Sequence, residues 1–229
     1  MKKRIHRSLV LLFCMIISSF VFPGQIVKGA TGSCGYYTTA LGVDSDARSD
    51  ILFQFSEMGY TTSDRKWRNP SDLISGMKAH AVMIINGHGS QGKILCNDSS
   101  DNLIAYLFSN QANTSNGNQY LSSLSSTALN KEKLVIYLTC YSAANGTYNS
   151  MIKQTVLQGA RSSIGFSNSV GRAEFWADYL SYGLKNGKTV QNAISYANTQ
   201  YKSQNPTHAA TSGSPTAGIT FYGTNGTVL

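Results

Sequence analysis

The sequence predicts an α/β fold, a three-layer αβα sandwich on a mostly parallel sheet of about six strands. Two short apolar runs, HAVMIING at 80–87 and KLVIYLTC at 133–140, have the length and unbroken hydrophobicity of strands buried on both faces. Segments of helical length separate such runs, so strand and helix alternate along the chain. Alternation of this kind builds a parallel sheet covered on both sides.

CGYYTTAL (34–41) reads as the first strand. An Asp-rich turn after it caps a helix over 46–59. Asn69-Pro70-Ser71-Asp72 opens a second helix whose apolar face is Leu73, Ile74 and Met77. HAVMIING is the next strand, and GKILC (92–96) is a small excursion. Residues 101–128 are polar and read as partly helical, with a loop at NQANTSNGN. KLVIYLTC is the second strong strand, followed by a helix at about 145–158 and a strand at RSSIGFSN (161–168). Helices follow at 173–187, stopped by Asn186-Gly187, and at 190–201; GITFYGT (218–224) is a final strand.

The first thirty residues differ in kind. MKKRIHR carries four fixed positive charges, an apolar run follows from Ser8 to Phe22, and then a polar stretch rich in small residues. That order is a secretory signal peptide with an ill-defined cleavage site. The alternative is an anchoring helix, but fifteen residues fall short of the ~20 that a span needs. The expected organisation is therefore a signal peptide over 1–30 and one domain over 31–229, exported from a bacterial-type cell, with no membrane association after the signal is removed.

Losing Lys2, Lys3, Arg4, Arg7 and Lys28 with the signal leaves fourteen basic side chains against eleven acidic ones, about +3 in place of +8. The basic balance is mostly a property of the signal and gives no ground for a nucleic-acid partner. Cys14 also departs, leaving Cys34, Cys96 and Cys140, an odd number in an exported chain. Two arrangements stay open: a Cys34–Cys96 disulfide with Cys140 reduced, or three free thiols. Three cysteines are too few for a disulfide scaffold, so an apolar core must hold the fold.

In parallel sheets, ligands sit at the carboxyl ends of the strands. Two strands end there in reactive residues: one runs into Gly87-His88-Gly89-Ser90, the other ends on Thr139-Cys140. If the strands are neighbours, His88 and Cys140 come side by side. A thiol nucleophile needs an imidazole near it, because the thiolate is the attacking species and a free thiol has a pKa near 8.5. The flanking glycines admit close approach of a substrate, and the N–H groups of Gly89 and Cys140 are candidate oxyanion donors.

NGHGSQG, followed after 52 residues by LVIYLTCYSA, resembles the caspase-like cysteine-peptidase superfamily of caspases, legumain, clostripain, gingipains and CHAT-domain proteins. In that superfamily one hydrophobic strand ends in His-Gly and a second in the catalytic Cys, ~50 residues apart in caspases. GARSSIGFSNSV with the helices at 174–201 is similar to the half after the nucleophile in gingipain and CHAT-like domains, and ITFYGTNGTVL to their last strand. The resemblance spans roughly residues 35–229. It implies a caspase-haemoglobinase-like fold and a His88–Cys140 dyad cleaving a protein or peptide substrate through a thioester, with no metal and no cofactor. The caspase pattern Gln-Ala-Cys-x-Gly is absent, since Leu138-Thr139-Cys140-Tyr141-Ser142 stands in its place.

Each candidate has a plainer alternative: Cys140 as a buried structural thiol or a partner of Cys96, His88 as a loop residue, and the whole domain as a binding or scaffold module without turnover. His80, at a strand start, reads as structural, and His208 as a solvated loop residue. Family members build the substrate pocket from the loop after the first strand and the segment after the Cys strand, which points here to Asp44, Asp46, Ser167 and Asn168. An Asp at the pocket floor selects a basic side chain, but an Asp just before a helix is also an N-cap.

Overall fold

The computed structural model describes residues 32–40, 47–110, 117–146 and 149–229. The expected signal peptide, Asp44 and Asp46 lie outside the described residues.

Strand β1 (Ser33–Thr38) leads to helix α1 (Ala47–Glu57), β2 (Thr61–Arg65), α2 (Pro70–Ala79) and β3 (Val82–Asn86). Then come β4 (Gly89–Ser90), β5 (Lys93–Asn97), β6 (Leu103–Phe108), β7 (Gln119–Tyr120) and β8 (Leu134–Leu138). The rest is α3 (Met151–Leu157), β9 (Ser162–Phe166), α4 (Ala173–Lys185), α5 (Val190–Gln204), two short helices, α6 (Pro206–Ala209) and α7 (Pro215–Gly218), and β10 (Ile219–Gly223).

The main sheet has six strands in the order β10-β9-β8-β3-β1-β2. All neighbours are parallel except β10, which closes the sheet antiparallel to β9. The predicted three-layer α/β sandwich is the observed architecture. Side chains alternate across the sheet because successive residues of a strand face opposite sides. On one side Tyr36, Ile84, Ile136 and Phe166 pack with α1, α4 and α5 through Ile51, Phe55, Trp176, Leu180 and Tyr201. On the other, Tyr37, Met83, Ile85, Val135 and Tyr137 meet Leu73 and Met77 of α2 and Met151 and Ile152 of α3. Trp176 is fully buried, edge-on to Phe166, and its indole N–H donates to Asn198 Oδ1 at 2.8 Å. Its one polar atom is satisfied, so the ring contributes its full apolar burial.

Local signals set the helix ends. Asn69 caps α2 in a capping box with Asp72, and Pro70 follows at the first helical position. Ser150 caps α3 and Thr189 caps α5.

The segment read as polar and partly helical, 101–128, folds differently. It contributes β6 and β7, with a single 3-10 turn at Leu121–Ser123. Together with β4 and β5 it makes a second sheet in the order β4-β5-β6-β7. The reason is pairing: Ala105 and Leu107 are both buried, Leu107 within the core beneath the main sheet, and β6 lies antiparallel to β5 along its length. A five-residue run such as GKILC reads as an excursion until its partner strand is known.

The cysteine alternatives resolve towards free thiols. Cys34 is buried in the core on one side of the sheet and Cys96 in the core on the other, and both are unpaired, as is Cys140. Among the described residues, no helix is long and apolar enough to cross a membrane.

Candidate active site

Strands β3 and β8 are direct neighbours, with Asn86 opposite Leu138 at their carboxyl ends. His88 and Cys140 each follow two residues beyond that pair, so both leave the same sheet edge. They wall one cavity of about 230 Å³ together with Asn86, Leu138, Val170, Arg172 and Glu174.

Tight packing holds the His88 turn. Thr39 N–H donates to Asn86 O at 3.0 Å, and a Cβ on Gly87 would collide with Thr39 Oγ1. A Cβ on Gly89 would stand 2.7 Å from the Cys140 carbonyl oxygen and 3.0 Å from Thr139 Cβ. Glycine is needed at Gly87 because the Thr39 side chain occupies the space a Cβ would take, and at Gly89 because the backbone of the Cys140 turn approaches this closely. The second sheet pins the turn from outside: Leu95 N–H donates to His88 O at 3.0 Å, and Asn97 N–H to Thr39 O at 2.7 Å. Beneath, Asn86 Nδ2 donates to the buried Tyr36 hydroxyl at 2.9 Å, so the Asn86 side chain supports the turn from below. The His88 side chain itself is exposed.

Cys140 is half-buried, and its sulfur accepts the Val170 N–H at 3.3 Å. Ser169 Oγ and the Val170 carbonyl each lie 3.6 Å from the sulfur. The Cys140 N–H donates to no protein group among the described residues, which leaves it open to a developing oxyanion. Tyr141 follows with a left-handed φ of 56°, its N–H donating to Asn168 O at 2.9 Å. This turn swings the chain off the sheet edge right after the thiol.

Of the two other candidate pocket residues, Asn168 fixes this turn through its carbonyl and donates from Nδ2 to Ser212 O. Ser167 bonds to the Gly218 carbonyl from both its N–H, at 2.8 Å, and its hydroxyl, at 3.2 Å. The cavity wall beside Cys140 comes instead from the next residues, Val170 to Glu174. Sequence reasoning missed these, although they span the end of the loop after β9 and the first residues of α4. Glu174 lies in the first turn of α4 and its carboxyl is pushed up by burial, with Arg172 beside it pulling the other way.

The other histidines lie elsewhere. His80 bonds Ser33 Oγ at 2.8 Å through Nδ1 and the Tyr37 hydroxyl at 3.0 Å through Nε2, and burial lowers its pKa. His208, read as a solvated loop residue, sits on α6 with Nδ1 2.8 Å from the Tyr201 hydroxyl.

No protein-family profile and no curated protein matches the chain. Among solved structures, the chain is similar to a secreted C11 cysteine protease from Bacteroides thetaiotaomicron bound to an irreversible peptide inhibitor, at 14% identity and a TM-score of 0.42. That similarity covers 83% of this chain and 66% of the protease, so the chain spans just under two thirds of the protease's length.

Proposed function

We propose that the protein is a secreted cysteine endopeptidase of the caspase-like superfamily that uses His88 and Cys140 as a catalytic dyad. The observation that carries this reading is the register of β3 and β8, which delivers an imidazole and a thiol to one cavity wall. His88 accepts the proton of the Cys140 thiol, and the thiolate attacks the carbonyl carbon of a peptide bond. The oxyanion is held by the N–H groups of Cys140 and Gly89. His88 then protonates the leaving amine, and a thioester remains on Cys140. A water molecule, deprotonated by His88, cleaves the thioester to release the carboxylic acid and restore the thiol. Export by way of residues 1–30 would place this chemistry outside the cell.

The test is covalent labelling of folded, reduced protein with a peptidyl acyloxymethyl ketone. Cys140 is expected to be modified, with the rate falling in His88→Ala. Absence of modification at Cys140 under these conditions rejects the reading.

One observation favours a second reading, a binding module without turnover. The His88 imidazole is exposed and makes no hydrogen bond among the described residues, so none of these residues orients it by a hydrogen bond. If the biological effect of the protein survives Cys140→Ala intact, the binding reading replaces the catalytic one.

A further inference from the structure

A second hollow, of about 430 Å³, adjoins the His88–Cys140 cavity. The two share one wall residue, Arg172. The outer hollow is otherwise lined by Gln204, Asn205, Thr207, His208 and Thr211, with Pro206 between them. None of these is acidic, and all but the proline carry side-chain N–H or O–H donors.

Arg172 stands where the chain turns into α4, with a left-handed backbone (φ 56°, ψ 32°). A side-chain-bearing residue is costly there and needs a surrounding reason. Its guanidinium takes part in no ion pair or hydrogen bond among the described residues. Nearby, Gly171 lines the inner cavity, and a Cβ on it would stand only 3.5 Å from His208 Nε2. Nδ1 of that ring is already engaged by the buried Tyr201 hydroxyl, which fixes the ring and leaves Nε2 without a protein hydrogen bond among the described residues. When the Tyr201 hydroxyl donates to Nδ1, the neutral ring carries its proton on Nε2 and can donate from there.

We propose that Arg172 and His208 form an anion subsite that takes a carboxylate of the bound peptide, one step along the cleft from Cys140. A planar guanidinium and an imidazole N–H suit the two oxygens of a carboxylate. Glu174 faces the inner cavity and not the outer hollow. The cleft is thus polarised, with an acid near the thiol and a donor-rich, cationic hollow beyond. The carboxylate has two possible sources, an acidic side chain or a free chain end. The place of this subsite in a substrate cleft rests on the peptidase reading, whereas the anion site itself can be tested without it.

The experiment follows the His208 Cε1–Hε1 and Arg172 Nε–Hε NMR signals of the whole protein. Three probes are added in turn: N-acetylglutamate α-amide, N-acetylglycine, and neutral N-acetylglutamine α-amide. At least one carboxylate probe is expected to give saturable shifts by a concentration on the order of 10 mM, about tenfold more tightly than the amide. The better carboxylate identifies the source, side chain or chain end. Arg172→Gln is expected to weaken binding about tenfold, and His208→Gln to weaken it as seen at Arg172. Absence of saturable shifts, equal binding of the amide, or binding indifferent to Arg172→Gln overturns the proposal. Titration of Cys140→Ala separates the two questions: carboxylate binding there, with no labelling of the wild-type thiol, retains the subsite and removes the peptidase.

Discussion

His88 and Cys140 each stand two residues beyond a cross-strand pair, Asn86 and Leu138, so one register places both on the same sheet edge. A slip of one residue would turn every core side chain of β8 to the wrong face, so core packing and the site are fixed by the same alignment. Removing the sulfur should therefore spare the fold. Cys140→Ala is expected to abolish active-site labelling and to lower any peptidase rate by at least about a thousandfold, with a melting temperature near that of wild type. Hydrolysis surviving in that variant would assign the chemistry elsewhere.

The glycines of the His88 turn give a coupled prediction. Gly87→Ala drives a methyl group against Thr39 Oγ1, so it is expected to be destabilising by about 1–3 kcal/mol as an overpacked site. Thr39→Ala removes that oxygen and should recover part of the loss, which a double-mutant cycle in urea would measure. Strict additivity of the two changes would show that this contact does not set the turn.

Thiol accessibility offers a simpler check. Cys34 and Cys96 are fully buried, and burial pushes the Cys96 thiol up to about 12. Of the three cysteines within the fold, only Cys140 is partly exposed, with a backbone N–H on its sulfur. Native protein is expected to react once with iodoacetamide, at Cys140, while Cys34 and Cys96 react only after unfolding. Peptide mapping by mass spectrometry reads the outcome directly.

Glu132 carries a pH-dependent prediction. It is fully buried just before β8, both carboxyl oxygens lack a hydrogen-bond partner, and desolvation raises its pKa well above the usual value. A raised folded-state pKa means that the native state binds more protons than the unfolded one. The contribution is therefore fully present below the unfolded carboxyl pKa, near 4.3, and is lost as pH rises through the folded value. Each pH unit in that window costs up to about 1.4 kcal/mol. Glu132→Gln is expected to flatten this slope, so its melting temperature gains on wild type as pH rises above the unfolded carboxyl range, by a few degrees per unit. Parallel curves for the two proteins would mean that Glu132 is ionised in the native state.

Much of this was legible in the sequence for a physical reason. HAVMIING and KLVIYLTC are continuous because both faces of β3 and β8 are covered, and such runs leave little choice but a central parallel strand. The His-Gly and Thr-Cys ends then marked one sheet edge as the candidate site. The second sheet was not legible because β5 and β6 take their meaning from each other: Ala105 and Leu107 point inward only once Lys93–Asn97 lies beside them. The cavity wall from Val170 to Glu174 was missed for a related reason. Arg172 and Glu174 look like ordinary charges at a helix start until the packing of α4 shows what they face.

The β4-β5-β6-β7 sheet lies wholly between the two strands that carry the candidate dyad, and its backbone holds the turn bearing His88. Such an arrangement separates what must stay constant over descent from what is free to drift. The register of β3 and β8 tolerates no change of length, whereas the hairpin between them can lengthen, shorten or change composition so long as Leu95 and Asn97 keep their two backbone bonds. Changes of length in that intervening sheet would then leave His88 and Cys140 where they stand.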